Sequence, residues 1–417
     1  MPAGSAPDLH RLFIAALVAG GLATACKQTH LVLGPVTDGG PTETGGTSGA
    51  GGRGGAGGGG APLGPVTTVS TSYFHTCAIS RGALFCWGKN DDGQLGLGDT
   101  APHRTPVRVG NDADWADVQV AEVSSLGRKS DGTIWSFGGN DRGQLGQGDL
   151  MARNKPTPIG NDADWIAIAT RFDHACALKV DGTVWCWGAG NEGQLGQNEP
   201  GRDGLDRTEP TKITTLNDVA MVDTGQGHTC AILRNRTLWC WGRNTSSILS
   251  QGEGTPERIK HPVQVEQAAD WQRIRAGQSG SCGLRGGRVY CWGKVNDHSQ
   301  PGSPENADVP VPTDIGGPKG AIDLTFNTFG GCLFDAQGAG ACWGRNQEGQ
   351  LGLGDAEVRN DVVALPIGGW TWLSAGWFST CGVGDGQVWC TGENKDGQIG
   401  LGSVSRVSSF VKVQLEP

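Results

Sequence analysis

Positive charge is in short supply in this sequence: 33 lysines and arginines face 42 acidic residues, for a net charge of −9. That balance excludes a basic nucleic-acid binder. The apolar segment Leu12 to Thr24 has thirteen apolar or small residues, short of the roughly 20 that a membrane-spanning helix needs. No Cys-x-x-Cys occurs, so the usual ligand pairing of a structural zinc site is missing. Tyrosine (2 residues) and methionine (3) are scarce. The 72 glycines show no three-residue period, which excludes a collagen-like triple helix. Together with 15 tryptophans, they point to many short strands joined by tight turns.

The N-terminus reads as an export signal followed by a tether. Leu12 to Thr24 suits the apolar region of a secretory signal, with Arg11 as the clear positive charge before it. Leu22-Ala23-Thr24-Ala25-Cys26 resembles the lipobox of bacterial lipoproteins, although Ala23 stands where leucine is usual. The resemblance implies cleavage before Cys26 and a diacylglycerol on its thiol, so residues 1–25 are assigned as signal peptide. Lys27, where inner-membrane lipoproteins resemble one another in having aspartate, implies an outer-membrane address. Residues 26–63 are the linker: thirteen of the 23 residues from Gly39 to Ala61 are glycine. Such a segment cannot bury enough apolar surface to offset its ordering entropy, and as a random coil it reaches about 35 Å.

From residue 64 to 417 the sequence repeats. CWGKNDDGQLGLGD (86–99), SFGGNDRGQLGQGD (136–149), CWGAGNEGQLGQNE (186–199) and CWGRNQEGQLGLGD (342–355) are copies, and weaker copies begin at Cys240, Cys291 and Cys390. The equivalent glycines, Gly88, Gly138, Gly188, Gly242, Gly293, Gly344 and Gly392, are spaced by 50, 50, 54, 51, 51 and 48 residues. A repeat of that length holds one four-stranded unit, and seven suggest a closed ring without free sheet edges. Two-residue alternation predicts strands at 165–169, 174–178 and 183–187, with a short fourth strand such as 106–109. Trp185 and Trp187 then share one face and Cys186 takes the other, which suits a blade covered on both sides.

The pattern His-Thr-Cys-Ala, then Asp-Gly-x-Val-Trp-Cys-Trp-Gly, then Asn-x-x-Gly-Gln-Leu-Gly-x-Gly resembles the regulator of chromosome condensation repeat. The resemblance covers residues 64–417 and implies an all-β fold, a seven-bladed β-propeller of four-stranded antiparallel blades. Functions in that family diverge: nucleotide exchange on a small GTPase, ultraviolet perception and inhibition of a β-lactamase.

Apart from Cys26, twelve cysteines form six couples: Cys77 with Cys86, Cys176 with Cys186, Cys230 with Cys240, Cys282 with Cys291, Cys332 with Cys342, and Cys381 with Cys390. Each couple flanks a two- or three-residue hairpin loop, and either length sets its two cysteines opposite each other. The second repeat carries Leu126 and Ser136 there instead, so both cysteines are lost as a unit. This predicts six cross-strand disulfides and an oxidising compartment.

Candidates for chemistry are few. His75, His174 and His228 recur at one repeat position and, spread around a ring, cannot converge; they read as turn-side hydrogen-bonding groups. Loops such as Asn90-Asp91-Asp92-Gly93 lack the ligand spacing of an EF-hand and read as turns. Gly-Asn-Asp-Ala-Asp-Trp, at 110–115 and 160–165, reads as a loop before a packed tryptophan. Ser130-Asp131-Gly132 only superficially resembles a sialidase Asp-box, and Tyr73 and Tyr290 both fall at strand positions of the repeat. Gly376-Trp377-Phe378-Ser379-Thr380 comes near the photoreceptor motif once. The sequence therefore predicts no catalytic residue, cofactor or metal.

The expected function is a noncatalytic, surface-tethered scaffold that binds a protein or alternatively a glycan. It meets the membrane through its lipid only, and nucleotide exchange or hydrolysis is the alternative. Three irregular loops, 197–210, 243–261 and 294–312, adjoin in the ring, so Arg243, Ile248, Lys294 and His298 are the expected partner-binding residues.

Overall fold

A computed structural model of the chain describes residues 65–197, 204–252, 255–294, 301 and 307–415. The expected signal peptide, Cys26 and the linker lie outside the described residues. Strand follows hairpin throughout: 28 strands form seven four-stranded antiparallel sheets, and the one helical element among the described residues is the 3₁₀ turn Thr245–Ser247. In blade 1, Val66–Thr71 (β1), His75–Ser80 (β2), Ala83–Gly88 (β3) and His103–Arg108 (β4) pair in sequence order. The other six blades, at 115–158, 165–212, 219–264, 271–314, 321–364 and 370–413, repeat this order. The fold is the expected seven-bladed propeller. Its outer strand starts earlier than predicted, at His103 in blade 1, because pairing resumes opposite Gly88 after a bulge.

The inner strands surround a central channel, lined from every blade by residues such as Val69, Val120, Ala169, Val222, Arg275, Thr325 and Trp372. The hairpin joining the two middle strands follows from its turn residues. The two-residue loops place both central residues at positive φ (Arg81 +49° and Gly82 +77°), the twist that matches the flanking strands. The three-residue loops end on a left-handed residue such as Gly182 (φ +82°). Both geometries set the cysteines directly opposite, as Cys77 with Cys86 and Cys176 with Cys186. All six predicted disulfides are formed. Cys77 joins Cys86, Cys176 joins Cys186 and Cys230 joins Cys240, each with a Cα–Cα distance of 4.1 Å. Cys282 joins Cys291 and Cys381 joins Cys390 at 4.1 Å, and Cys332 joins Cys342 at 4.0 Å. In blade 2 Leu126 faces Ser136 in the same register.

The core is divided among the seams. Seven apolar clusters each combine residues of two adjacent blades, including Val69 and Trp87 of blade 1 with Val383 and Val413 of blade 7. The ring thus closes face to face, without exchange of a strand between the chain ends. Val66 N donates to Gly386 O (3.0 Å) and Trp372 Nε1 to Val69 O (2.7 Å) across that closing seam.

Candidate functional site

The repeated motif residues act between blades. Within the Gln-Leu-Gly loop, the buried Asn90 side chain accepts from Leu95 N (2.9 Å) and donates to Asp99, and Asn140, Asn346 and Asn394 accept the same backbone bond. The loop so shaped presents its glutamine carbonyl to the next blade. Gln194 O receives both Trp241 Nε1 and Thr229 Oγ1 at 2.8 Å. Gln398 O receives Trp87 Nε1 and Thr76 Oγ1 at 2.9 Å, so the closing seam uses the same device. Gly196 (φ +67°) must be glycine here, because a Cβ would lie 2.6 Å from Trp241 Nε1.

The three recurring histidines bond across these seams, which adds to the expected turn-side role that His75 keeps through Nδ1 and Ser72 Oγ (3.3 Å). His75 Nε2 lies 2.9 Å from Ser125 Oγ, His174 Nε2 3.0 Å from Thr229 Oγ1 and His228 Nε2 2.8 Å from Ser281 Oγ. Ser125 and Thr229 spend their hydroxyl protons on Gln94 O and Gln194 O, so His75 and His174 donate from Nε2. A second proton would sit on Nδ1, which in His174 and His228 is buried without an acceptor. Burial accordingly lowers all three pKa values to about 3.

The channel wall carries Arg171, Arg275 and Asp223, each held by a partner. Arg171 reaches across to Phe326 O (3.0 Å) and Ala276 O (3.3 Å), Arg275 pairs with Asp323 (3.1 Å), and Asp223 accepts Ala276 N (2.7 Å). Burial raises the Asp223 pKa against the pull of Arg275 and Arg171.

A different arrangement occupies one mouth of the channel, where the loops between first and second strands converge. Trp377 of blade 7 lies edge-on to Tyr73 of blade 1 (5.4 Å), Phe172 of blade 3 (5.9 Å) and Phe329 of blade 6 (5.9 Å). Phe329 stacks on Phe378 at 5.4 Å. The indole therefore caps the channel by contacting blades on opposite sides of it. Tyr73, Phe329, Trp377 and Phe378 remain half-buried and Phe172 is buried beneath them, so this is a partly exposed aromatic surface held by β-strand roots. Lys89 lies over Phe74, Lys395 over Tyr73, and Arg345 over both Phe329 and Phe378, at 4.6–5.5 Å. Carboxylates line the adjacent blades: burial, with repulsion from Asp173, raises the Glu122 pKa, and burial, with repulsion from Asp206 and Asp141 against the pull of Arg142, raises that of Asp173.

The fold meets that description among proteins of known sequence. A family model described as the Regulator of chromosome condensation (RCC1) repeat matches residues 81–124, 131–178 and 181–232, and a second of the same description matches 66–94, 165–194 and 219–247. Residues 66–247 carry RCC1 repeats. Among curated relatives, the Arabidopsis thaliana mitochondrial protein RUG3 is 29% identical over 177 residues, covering 40% of this chain and 39% of that protein. The ultraviolet-B receptor UVR8 of the same plant is 28% identical over 175 residues, 40% of each chain. Human E3 ubiquitin-protein ligase HERC2 is 27% identical over 161 residues, 36% of this chain and 3% of its own length. The match thus spans less than half of each of these relatives. Solved structures share the fold: Saccharomyces cerevisiae Prp20p (TM-score 0.71, 19% identity, 85% of this chain and 87% of that one) and human WBSCR16 (0.64, 20%, 75% and 85%).

In this propeller the expected partner-binding residues fall in different places. Ile248 is not a contact residue: it is buried at 1% exposure in a seam, at the position of the loop glutamine, and its carbonyl accepts Trp292 Nε1 (2.8 Å). The irregular loop 244–250 departs from the regular backbone at Ser246 (φ +57°) yet keeps the bracing bond, with Asn244 accepting Leu249 N (3.2 Å). Arg243 and exposed Lys294 do lie on the mouth face, at the repeat position of Lys89 and Arg345, but Arg243 is engaged by Gln226 and Gln278. His298 lies outside the described residues. Tyr290 is on a strand as expected, whereas Tyr73 is in the mouth loop. The mouth aromatics are the residues that sequence reasoning passes over. Their signal is an aromatic directly before the second strand in three repeats, Phe74, Phe329 and Phe378.

The Gly-Asn-Asp-Ala-Asp-Trp segments also do more than turn. Asp112 (2.7 Å) and Asp114 (3.2 Å) hold Lys129 between the rings of Trp115 and Trp135, and Asp162 and Asp164 hold Lys179 between Trp165 and Trp185. Among the described residues no cluster of three or more histidine, cysteine or acidic side chains could hold a metal.

Proposed function

We propose that the protein is an exported, surface-tethered binding propeller that captures a protein partner at its aromatic mouth and performs no catalysis. The observation that carries this reading is the half-exposed cluster around Trp377, assembled by loops of blades 1, 3, 6 and 7 on disulfide-stapled sheets. Binding residues concentrate on loops held by a rigid scaffold, and aromatic anchors dominate interface energy. Six disulfides fit an oxidising compartment, which supports export and a lipid on Cys26 in the outer membrane. They weigh equally against nucleotide exchange on a cytosolic GTPase. Hydrolysis finds little support in channel groups that neutralise one another.

The test is a photo-crosslinking residue at position 377 of the full chain on intact cells, with position 180 on the opposite face as control. A discrete adduct at 377 and none at 180 is the expected result. Equal or absent labelling at the two positions would refute a binding mouth.

A further inference from the structure

We infer that the mouth binds a cationic side chain, a lysine or arginine of a basic segment on the partner protein. The inference rests on the binding-propeller reading and names the chemistry of its site.

Tyr73, Phe172, Trp377, Glu122 and Asn327 line one depression of about 290 Å³ including its open side, together with Arg171, whose guanidinium donates to Phe326 O and Ala276 O. Rings and a carboxylate facing one space are suited to an organic cation, attracted by the ring faces and the anion together. This chain uses the same combination internally. Lys129 and Lys179 each lie between two tryptophan rings under two aspartates, and Arg285 lies over Trp271 and Tyr290 with Glu266 and Asp270. At the mouth, the outer rings have cations of their own: Lys89, Arg345 and Lys395.

Charge on one side of the rim, from blade 7 through blades 1 to 3, favours the same ligand, while Arg243, Lys294 and Arg345 lie on the other side. Like-charged neighbours run from Glu122 to Asp173, on to Asp141, Asp92 and Asp91, and reach Asp396 in blade 7. Lys89, Arg142 and Lys395 are the cations set among them, fewer than the carboxylates they face. An acidic segment docking here would meet this arc, whereas a basic one is steered towards the rings. A glycan would stack on the indole without needing the arc at all.

The experiment uses the full-length chain and three probes: a short lysine–glycine peptide, its glutamate–glycine counterpart and a neutral oligosaccharide. Binding is followed by tryptophan fluorescence and calorimetry at low and physiological salt. The lysine peptide alone should bind, more weakly as salt rises. Trp377→Ala should lower its affinity by about 3- to 30-fold and Glu122→Gln by a few-fold. Melting curves check that both variants fold; if Trp377→Ala does not, Glu122→Gln with Trp377→Phe decides. Preference for the glutamate peptide or the oligosaccharide, or affinity unchanged in the folded variants, overturns the inference. Crosslinking at position 377 without lysine-peptide preference would defeat this chemistry and leave the binding mouth standing.

Discussion

Acid should loosen the seams through the three buried histidines, and the size of the effect can be worked from their surroundings. In the folded ring each imidazole is neutral with a pKa of about 3, against about 6.5 in an unfolded chain. The unfolded state therefore takes up protons first, so the stabilisation is whole above pH 6.5 and is lost as pH falls. Between pH 7 and pH 5 one such site costs about 2 kcal/mol, since each unit of proton affinity is worth about 1.4 kcal/mol. Raised carboxylates such as Glu122 and Asp173 act in the opposite sense, because they bind protons more readily when folded. A comparison of variants cancels them. His174→Gln keeps a donor towards Thr229 but does not titrate in this range. Denaturation in non-reducing buffer, followed by tryptophan fluorescence, should show its penalty at pH 7 shrinking by about 2 kcal/mol at pH 5. An equal penalty at both pH values would refute the neutral, acceptor-less Nδ1 on which the reasoning stands.

Cys26→Ser should move the protein from the membrane to the soluble fraction; unchanged membrane association, with no fatty acid on the mature N-terminus, would refute the lipid anchor. Leu126→Cys with Ser136→Cys should form a seventh disulfide, because those residues share the register of the other six couples. Non-reducing peptide mapping should join positions 126 and 136 and leave the native pairs intact, with a gain of roughly 2–3 kcal/mol from a ten-residue loop. Free thiols at both positions in an otherwise oxidised ring would show that blade 2 departs from the common register.

What can be read in the sequence is what every blade needs for itself or its neighbour. Cysteine spacing of nine or ten, as in Cys77 with Cys86 and Cys332 with Cys342, determines the hairpin, since turn length and register are one constraint. Gln-Leu-Gly marks the seam, although its purpose as a carbonyl bracket for the next blade's tryptophan is not visible without the partner strand. The seam bonds of the histidines are hidden for the same reason: their partners Ser125, Thr229 and Ser281 are about one repeat away in sequence. Ile248 misleads because its loop, changed in residues and at Ser246 in backbone, still delivers its carbonyl to Trp292. A seam needs only the carbonyl at that position, so an isoleucine meets it as well as a glutamine.

The mouth escapes because no repeat is obliged to shape it. The residue before the second strand contributes its carbonyl to the strand-end bond, as Phe74 O does to Lys89 N and Phe378 O to Glu393 N, and its side chain is left undetermined. Valine, aspartate, glycine and serine fill the position in blades 2 to 5, and phenylalanine fills it in blades 1, 6 and 7. Only ring closure brings blades 1 and 7 together, and only then do Tyr73, Trp377 and Phe378 meet. A surface free of the fold's own demands, composed by residues some 300 positions apart, can take up a binding function without weakening a seam. That separation is why Trp377, and not the irregular loops, is where the function of this ring is to be tested.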